Sequence, residues 1–276
     1  MAAAAEVARL PLRSHRWSGG GGSMLGHGTG NSLDFQDQRA YAPGDDPRHI
    51  NWQAYARSGH YTMKLYRQEV SPKVDVLLDV STSMFVNEAK VWRTWETIYW
   101  CIESALQLGA SLRVFAIQGV RWREVETAQV MAGDWRLDDL PAGAPIMPAL
   151  QQVPLRPGSL RVLVSDLLFP GSPESVTVPL TANRGRGLVL AVFSREEASP
   201  GWDGNVEFED CETAVTEKRR VDAAILKRYQ EAYARHFALW REPCARLGLP
   251  FARVAAEPPF LDALRAEGVA AGACDQ

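Results

Sequence analysis

The sequence predicts an α/β protein with a doubly wound, mostly parallel sheet and helices on both of its faces. Residues 74–80 and 160–165 are short, nearly continuous apolar runs, as expected for strands that are buried on both faces. From residue 73 onward such runs alternate with segments of helical periodicity, which favours strand–helix–strand units and therefore a parallel sheet. A content of 46% apolar and 23% charged residues supports a sizeable core.

The first helix of this domain is predicted over about residues 87–108, directly after the first strand. Its apolar residues recur at helical spacing and form one stripe, which should cover one face of the sheet. The stripe consists of Val91, Trp95, Ile98, Ile102 and Ala105.

The remaining elements of the domain follow from the same two patterns. His236, on the core-facing stripe of the next long helix, is interpreted as a hydrogen-bonded histidine of the core or its edge rather than a ligand. The predicted elements are strands at 111–118 and 121–127 joined by a tight turn at Gly119, strands at 160–165 and 187–193, a long helix at about 221–247, a strand at 251–254 and a helix at 259–267.

Two segments precede the main domain, which is assigned to residues 73–276. Residues 1–34 are rich in glycine and show no strand of the kind that leads into a phosphate-binding loop, so we expect a flexible N-terminal segment. Residues 35–72 are expected to form an extension packed on the main domain. Its predicted elements are a turn at 43–47, a short helix at 51–57 and a strand at 61–70.

Composition excludes several classes of function. A net charge of −3 gives no support to nucleic-acid binding, which needs clustered Lys and Arg. No stretch approaches the roughly 20 apolar residues that span a bilayer. The start of the chain carries Glu6 and lacks an apolar segment of signal length, so a cytoplasmic protein is expected. The four cysteines lie far apart in the sequence and are expected to be reduced.

A carboxylate and two hydroxyls lie at alternate positions at the end of the first apolar run: Asp79, Ser81 and Ser83. In an open α/β sheet, ligands bind at the carboxyl ends of the strands, which is where these side chains should lie. Oxygen ligands of this kind suit Mg²⁺ or Mn²⁺. The alternative is a hydrogen-bonded loop in which Thr82 or Ser83 only caps the following helix.

The residues around this cluster resemble two known patterns. Asp79-Val80-Ser81-Thr82-Ser83 matches the DxSxS signature of von Willebrand factor A domains, whose metal-ion-dependent adhesion site holds Mg²⁺ or Mn²⁺. The upstream stretch RAYAPGDDPRHINW, which starts at Arg39, resembles the bacterial domain-of-unknown-function family 58 more specifically. Members of that family are typically encoded beside MoxR-type AAA+ ATPases. The resemblance is strong from about Phe35 to Met84 and covers roughly a fifth of the chain.

The resemblance implies a ligand set and shows two departures from it. Asp166 follows the strand at 160–165, where the family pattern has its second carboxylate, so the implied metal ligands are Asp79, Ser81, Ser83 and Asp166. The threonine ligand of the second loop is replaced in this chain, where Pro145 stands in the comparable stretch. Asn51 takes the place of the usual aspartate in the upstream segment.

The resemblance implies a von Willebrand factor A-like fold and a non-enzymatic binding module that acts with a MoxR-type ATPase on a protein client. In such sites a partner carboxylate can complete the coordination of the metal. The alternative function is a phosphatase of the haloacid-dehalogenase type with Asp79 as nucleophile and Ser165 in its second motif. That enzyme class needs a second aspartate at the position of Ser81.

Charged and aromatic residues of the extension form a second candidate site, here called the clasp. We expect its arginines and aspartates to be partly buried and mutually paired, because the guanidinium fork binds carboxylates bidentately. The clasp residues are Arg39, Tyr41, Asp45, Asp46, Arg48, Trp52 and Arg57.

Overall fold

The computed structural model describes residues 1–12, 24–26, 35–66, 68–135 and 146–275. Its strands are β1 Met24–Gly26, β2 Phe35–Ala40, β3 Thr62–Tyr66, β4 Gln68–Val70, β5 Lys73–Asp79, β6 Ser111–Gln118, β7 Arg121–Val125, β8 Leu160–Ser165, β9 Arg186–Phe193, β10 Gly204–Glu209, β11 Thr216–Val221 and β12 Phe251–Ala255. Its helices are α1 Ala2–Val7, α2 Trp52–Ser58, α3 Glu88–Gln107, α4 Thr127–Met131, α5 Glu174–Thr181, α6 Arg195–Ala198, α7 Ala223–Arg246 and α8 Phe260–Ala271.

A six-stranded sheet with the order β12-β9-β8-β5-β6-β7 forms the centre of the fold. Neighbouring strands are parallel except at one edge, where β7 runs antiparallel to β6. From β5 the chain moves outward to β6 and β7, and then returns to β8 on the other side of β5. The direction of winding therefore reverses between β5 and β8, and sheets of this kind bind ligands outside the carboxyl ends of the strands at such a point.

Two separate cores hold β5 between the helical layers. Val76 and Leu78 face one core, which includes Ile98 of α3. Leu77 faces the other, which includes Trp240 of α7. Because side chains alternate along a strand, β5 is fixed from both faces, and its last residue is held in a defined position.

The structure confirms the predicted mostly parallel α/β sheet and the predicted strands and helices of its framework. Its main domain also contains elements that the sequence patterns did not indicate: the hairpin β10–β11 and the short helices α4, α5 and α6. All residues of β11 except Val221 are exposed, so the strand carries no apolar alternation. Helix α5 contains Pro179, a residue that normally argues against a helix interior.

Residues 1–12 pack against α3, so the prediction of a flexible segment is wrong for this part of the chain. The side chain of Leu10 is fully buried, and its amide donates a 2.7 Å hydrogen bond to Ser104 Oγ. The indole Nε1 of Trp100 donates a 2.7 Å hydrogen bond to the carbonyl oxygen of Ala8. Apolar side chains upstream of the glycines thus complete the core. Most of the glycine-rich stretch lies outside the described residues, except β1, which pairs antiparallel with β4.

Within the ranges that the structure describes, no helix is both long enough and apolar enough to cross a bilayer.

Candidate functional site

Asp79 ends β5 at the point where the winding reverses, and only 1% of its surface is exposed. Its Oδ2 accepts a 2.6 Å hydrogen bond from the hydroxyl of Ser165, the last residue of β8. Its Oδ1 accepts a 3.0 Å hydrogen bond from the amide of Ser81. Both carboxylate oxygens are therefore used inside the protein, and they tie the loop after β5 to the end of β8.

The loop after β5 turns through a short 3-10 helix, Thr82–Phe85. The hydroxyl oxygens of Ser81 and Ser83 lie 3.2 Å apart and are half-buried. The amide of Ser83 donates a 2.9 Å hydrogen bond to Oε1 of Glu212, which lies between β10 and β11. Asp210 shapes that turn by accepting the amide of Glu212 at 2.9 Å. A third loop is thereby joined to the site.

Lys90 is a completely buried cation beside these loops. Its ammonium lies 2.8 Å from Oδ2 of Asp166 and 2.5 Å from Oε1 of Glu197. Asp166 directly follows β8, and its Oδ1 accepts the amide of Leu168 at 3.0 Å. Glu197 belongs to α6, where its Oε2 accepts the amide of Ser194 at 2.7 Å in a capping box. One ammonium thus links α3, the loop after β8 and α6.

Burial and neighbouring charges decide the ionisation of this cluster. Burial raises the pKa of Asp79 to about 6, and the negative charge of Asp166 adds to the rise. Burial alone would lower the pKa of Lys90, but the carboxylates of Asp166 and Glu197 outweigh burial and hold that pKa above its usual range. Lys90 therefore stays charged at neutral pH, and it neutralises part of a cluster with three carboxylates.

The structure brings the four predicted metal ligands to one edge of the sheet. Asp79, Ser81 and Ser83 are connected by hydrogen bonds, and the charge of Asp166 acts on Asp79. Mg²⁺ or Mn²⁺ at these residues stays a prediction. Among the described residues, no group of three or more His, Cys, Asp or Glu side chains has the arrangement of a metal site. The stretch around Pro145 lies outside the described residues.

The donor set fits a divalent cation poorly. Mg²⁺ demands near-ideal octahedral geometry from oxygen ligands. Here Oδ2 of Asp166 is already paired with an ammonium, and both oxygens of Asp79 accept hydrogen bonds from protein groups. A metal ion at this position would have to displace Lys90 from Asp166 or lie beside its positive charge.

The sequence analysis did not identify Lys90, Glu197 and Glu212 as site residues. The sequence does contain a pattern that indicates a structural role for Lys90 and for Glu197. Lys90 precedes Thr94 and Ile98 by one and two helical turns, so it lies on the buried side of α3, where an unpaired lysine is very rare. Glu197 follows Ser194 with the spacing of a capping box. Glu212 lies in a turn that only the folded hairpin brings near Ser83, and no local pattern indicates it.

Two interpretations from the sequence are settled by hydrogen bonds. Helix α3 is capped by Asn87, whose Oδ1 accepts the amide of Lys90 at 2.9 Å, so the capping role considered for Thr82 or Ser83 is wrong for this helix. His236 Nε2 donates a 2.8 Å hydrogen bond to the carbonyl oxygen of Leu167, which agrees with its interpretation as a satisfied histidine.

Four of the five charged clasp residues are paired as predicted, but the expectation that they are partly buried is wrong for the three arginines. Arg39 binds Asp45 bidentately at 2.6 and 2.7 Å, and Arg48 lies 2.6 Å from Asp46. The side chain of Arg48 is 87% exposed and that of Arg39 43%. Arg57 is exposed and forms no ion pair with a described residue. The pairs join residues close in sequence, so they stiffen a surface turn rather than fasten it to the main sheet.

The aromatic members of the clasp pack on neighbouring rings of the extension. Trp52 and Tyr41 both contact Tyr61 edge to face, with ring centroids 6.4 and 6.2 Å apart. Asn51 is buried and caps α2, since its Oδ1 accepts the amide of Ala54 at 3.2 Å. An aspartate at this position could make the same bond, so the departure from the family pattern preserves the cap.

Comparison with known proteins gives one family match. Residues 37–101 match the model of a family described as protein of unknown function DUF58, which confirms the family predicted from the sequence. The matched segment holds the whole clasp, all of β5, the loop with Ser81 and Ser83, and Lys90. No curated protein matches the chain.

Two solved structures are similar to this chain at low sequence identity. One is the conserved hypothetical protein BatB from Bacteroides thetaiotaomicron, with 12% identity, coverage of 73% of this chain and 99% of that chain, and a TM-score of 0.36. The other is an aerotolerance-related membrane protein from Bacteroides fragilis, with 13% identity, the same coverage of both chains and a TM-score of 0.38. At these TM-scores the two likenesses carry no functional weight.

Proposed function

On the premise that residues 37–101 place this chain in the DUF58 family, we propose that it is a non-enzymatic binding module of the von Willebrand factor A type. It acts with a MoxR-type AAA+ ATPase in the assembly or maturation of a protein client. The ATPase and its client come from the family resemblance, whereas the binding edge comes from the geometry of the site.

One observation carries this proposal: buried charges lock several loops together at the point where the winding of the sheet reverses. Asp79 is tied to Ser165, Ser83 to Glu212, and Asp166 to Lys90. Loops that are held by a rigid scaffold in this way present a fixed surface, which is the usual basis of specific recognition. The loops also expose apolar groups to a partner, among them Leu168 at 37% and Val86 at 51% exposure.

The same geometry gives no support to a phosphatase of the haloacid-dehalogenase type. The carboxylate of Asp79 is almost fully buried, and both of its oxygens accept hydrogen bonds, so it is poorly placed to attack phosphorus. The position of the required second aspartate is occupied by Ser81.

A binding titration with the MoxR-type ATPase of the same genome tests the proposal. Leu168→Asp places a charge on the exposed loop after β8, and we expect it to weaken binding by at least about tenfold, since apolar contacts at the centre of an interface dominate affinity. Leu106→Asp is the matched control, because Leu106 is similarly exposed at 42% but lies at the end of α3 next to the amino edge of the sheet.

Equal loss in both variants, or binding that neither variant changes, contradicts a binding site at the carboxyl edge. Absence of any binding by the folded wild-type protein contradicts the ATPase as its partner. Circular dichroism of each variant shows whether the fold is intact.

A further inference from the structure

The position of Lys90 is unusual for a surface loop cluster that resembles a metal site. The whole side chain is buried, and its ammonium lies between Asp166 at 2.8 Å and Glu197 at 2.5 Å. Asp166 is the second carboxylate that the family pattern assigns to the metal. The cation beside this carboxylate is therefore the ammonium of Lys90, a residue of α3.

The remaining acceptor positions of the two carboxylates are also used. Oδ1 of Asp166 accepts the amide of Leu168, and Oε2 of Glu197 accepts both the amide and the hydroxyl of Ser194. Asp79 accepts hydrogen bonds at both oxygens as well. The protein itself thus supplies a donor to every carboxylate oxygen of these three residues.

A divalent metal ion and an ammonium differ in how many groups they bind and in whether they leave a position open for a partner. Mg²⁺ and Mn²⁺ bind several oxygen atoms at once and keep waters that a partner carboxylate can replace. An ammonium donates only three hydrogen bonds, and Lys90 uses two of them on carboxylates that belong to its own chain. It neutralises charge and fixes the loops, but leaves no open coordination position.

We propose that the ammonium of Lys90 takes the place of the divalent cation, so that the loops at the carboxyl edge are held in their binding geometry without a metal. This rests on the proposed function only in treating these loops as the binding edge. A partner then recognises the edge through the exposed loop surface rather than through a carboxylate bound to a metal.

Melting curves with millimolar MnCl₂ or with EDTA test the inference, and they need no partner protein. Wild type should melt at the same temperature in both. Lys90→Met should melt lower and should regain about 3 °C or more with Mn²⁺, because an ion that binds only the folded state stabilises it by mass action. Adding Asp79→Asn to Lys90→Met should abolish that gain.

Arg161→Met is the matched control, since it also removes a buried cation but lies on β8 away from the site. It should melt lower and show no response to Mn²⁺. A wild-type rise with Mn²⁺ that Asp79→Asn removes would show that metal binds beside the lysine, and would overturn the inference. A folded Lys90→Met protein without any Mn²⁺ response overturns it too.

If Lys90→Met does not fold, electron paramagnetic resonance of Mn²⁺ titrated with wild type decides the matter. We expect the signal of the free ion to remain undiminished. Stoichiometric loss of that signal with wild type, but not with Asp79→Asn, contradicts the inference. Because these measurements use the chain alone, failure of the ATPase titration leaves their outcome unaffected.

Discussion

Replacing Lys90 by methionine should remove more stability than any exposed lysine substitution in this chain. The substitution keeps most of the length of the side chain and deletes its charge. Asp166, with a side chain 2% exposed, and Glu197, at 17%, then remain without their cation. Removal of one partner from a buried ion pair typically costs about 3–5 kcal/mol, because the remaining charge is buried and uncompensated.

The expected fall in melting temperature follows from the size of the chain. At roughly 2.1 cal/mol/K per residue, unfolding of 276 residues has an entropy of about 0.6 kcal/mol/K. A loss of 3–5 kcal/mol therefore corresponds to about 5–9 °C. Urea unfolding at constant temperature gives the free energy directly, provided that the slope against denaturant is the same for both proteins.

Two further variants separate the charge pair from simple loss of packing. Lys227→Met makes the same chemical change at an exposed position of α7 and should alter stability by less than about 0.5 kcal/mol. Asp166→Asn combined with Lys90→Met should lose clearly less than the sum of the two single losses, since the double variant no longer buries an unpaired charge at Asp166. A loss below about 1 kcal/mol for Lys90→Met, or strict additivity, would refute the assigned role of the ammonium.

Other expected outcomes concern separate parts of the fold. Leu10→Ala should lose about 2–5 kcal/mol in urea unfolding, because a fully buried leucine leaves a cavity; an effect below 1 kcal/mol would contradict the packing of the N-terminal segment on α3. Asn51→Ala should lose about 1 kcal/mol by the same assay, since the amide of Ala54 loses its cap, whereas Asn51→Asp should lose little. Glu267 should stabilise the fold at pH values above its unfolded pKa of about 4.3. Burial opposes the ionisation of Glu267, but hydrogen bonds from Arg253 outweigh burial and lower its pKa in the folded state. This contribution is present at neutral pH and is lost as the pH falls through the lowered pKa, so Glu267→Gln should weaken the protein near pH 7 and flatten its loss of stability below about pH 5. If the stabilities of wild type and Glu267→Gln fall in parallel below about pH 5, the contribution assigned to Glu267 is contradicted.

The sheet could be predicted from the sequence because its strands are buried on both faces. Such strands are mostly apolar, as in β5 and β8, and an apolar run is a local signal. The position of Asp79 and Asp166 at one edge followed from this framework, since Asp79 ends β5, Asp166 directly follows β8, and these strands are parallel neighbours. The hairpin β10–β11 has the opposite character, because it lies at the surface and its residues are mostly exposed.

The chemistry within the site could not be read from local patterns. The contacts of Lys90 join residues that are 76 and 107 positions apart, and the contact between Ser83 and Glu212 spans 129 positions. Such long-range contacts form only when whole helices and hairpins pack on the sheet. The packing of the N-terminal segment could not be predicted for a related reason, since the amide of Leu10 binds Ser104 of α3, 94 positions away.

Hydrogen exchange of the chain in complex with the ATPase tests the central claim most directly. If the carboxyl edge is the binding surface, the ATPase should slow exchange of the amides at residues 81–86, 167–169 and 210–215. Exchange of the loop at 154–159, next to the amino edge of the sheet, should be the same in the free and bound protein. Protection confined to the amino-edge loop or to the clasp, with unchanged exchange in the three carboxyl-edge loops, would contradict the account.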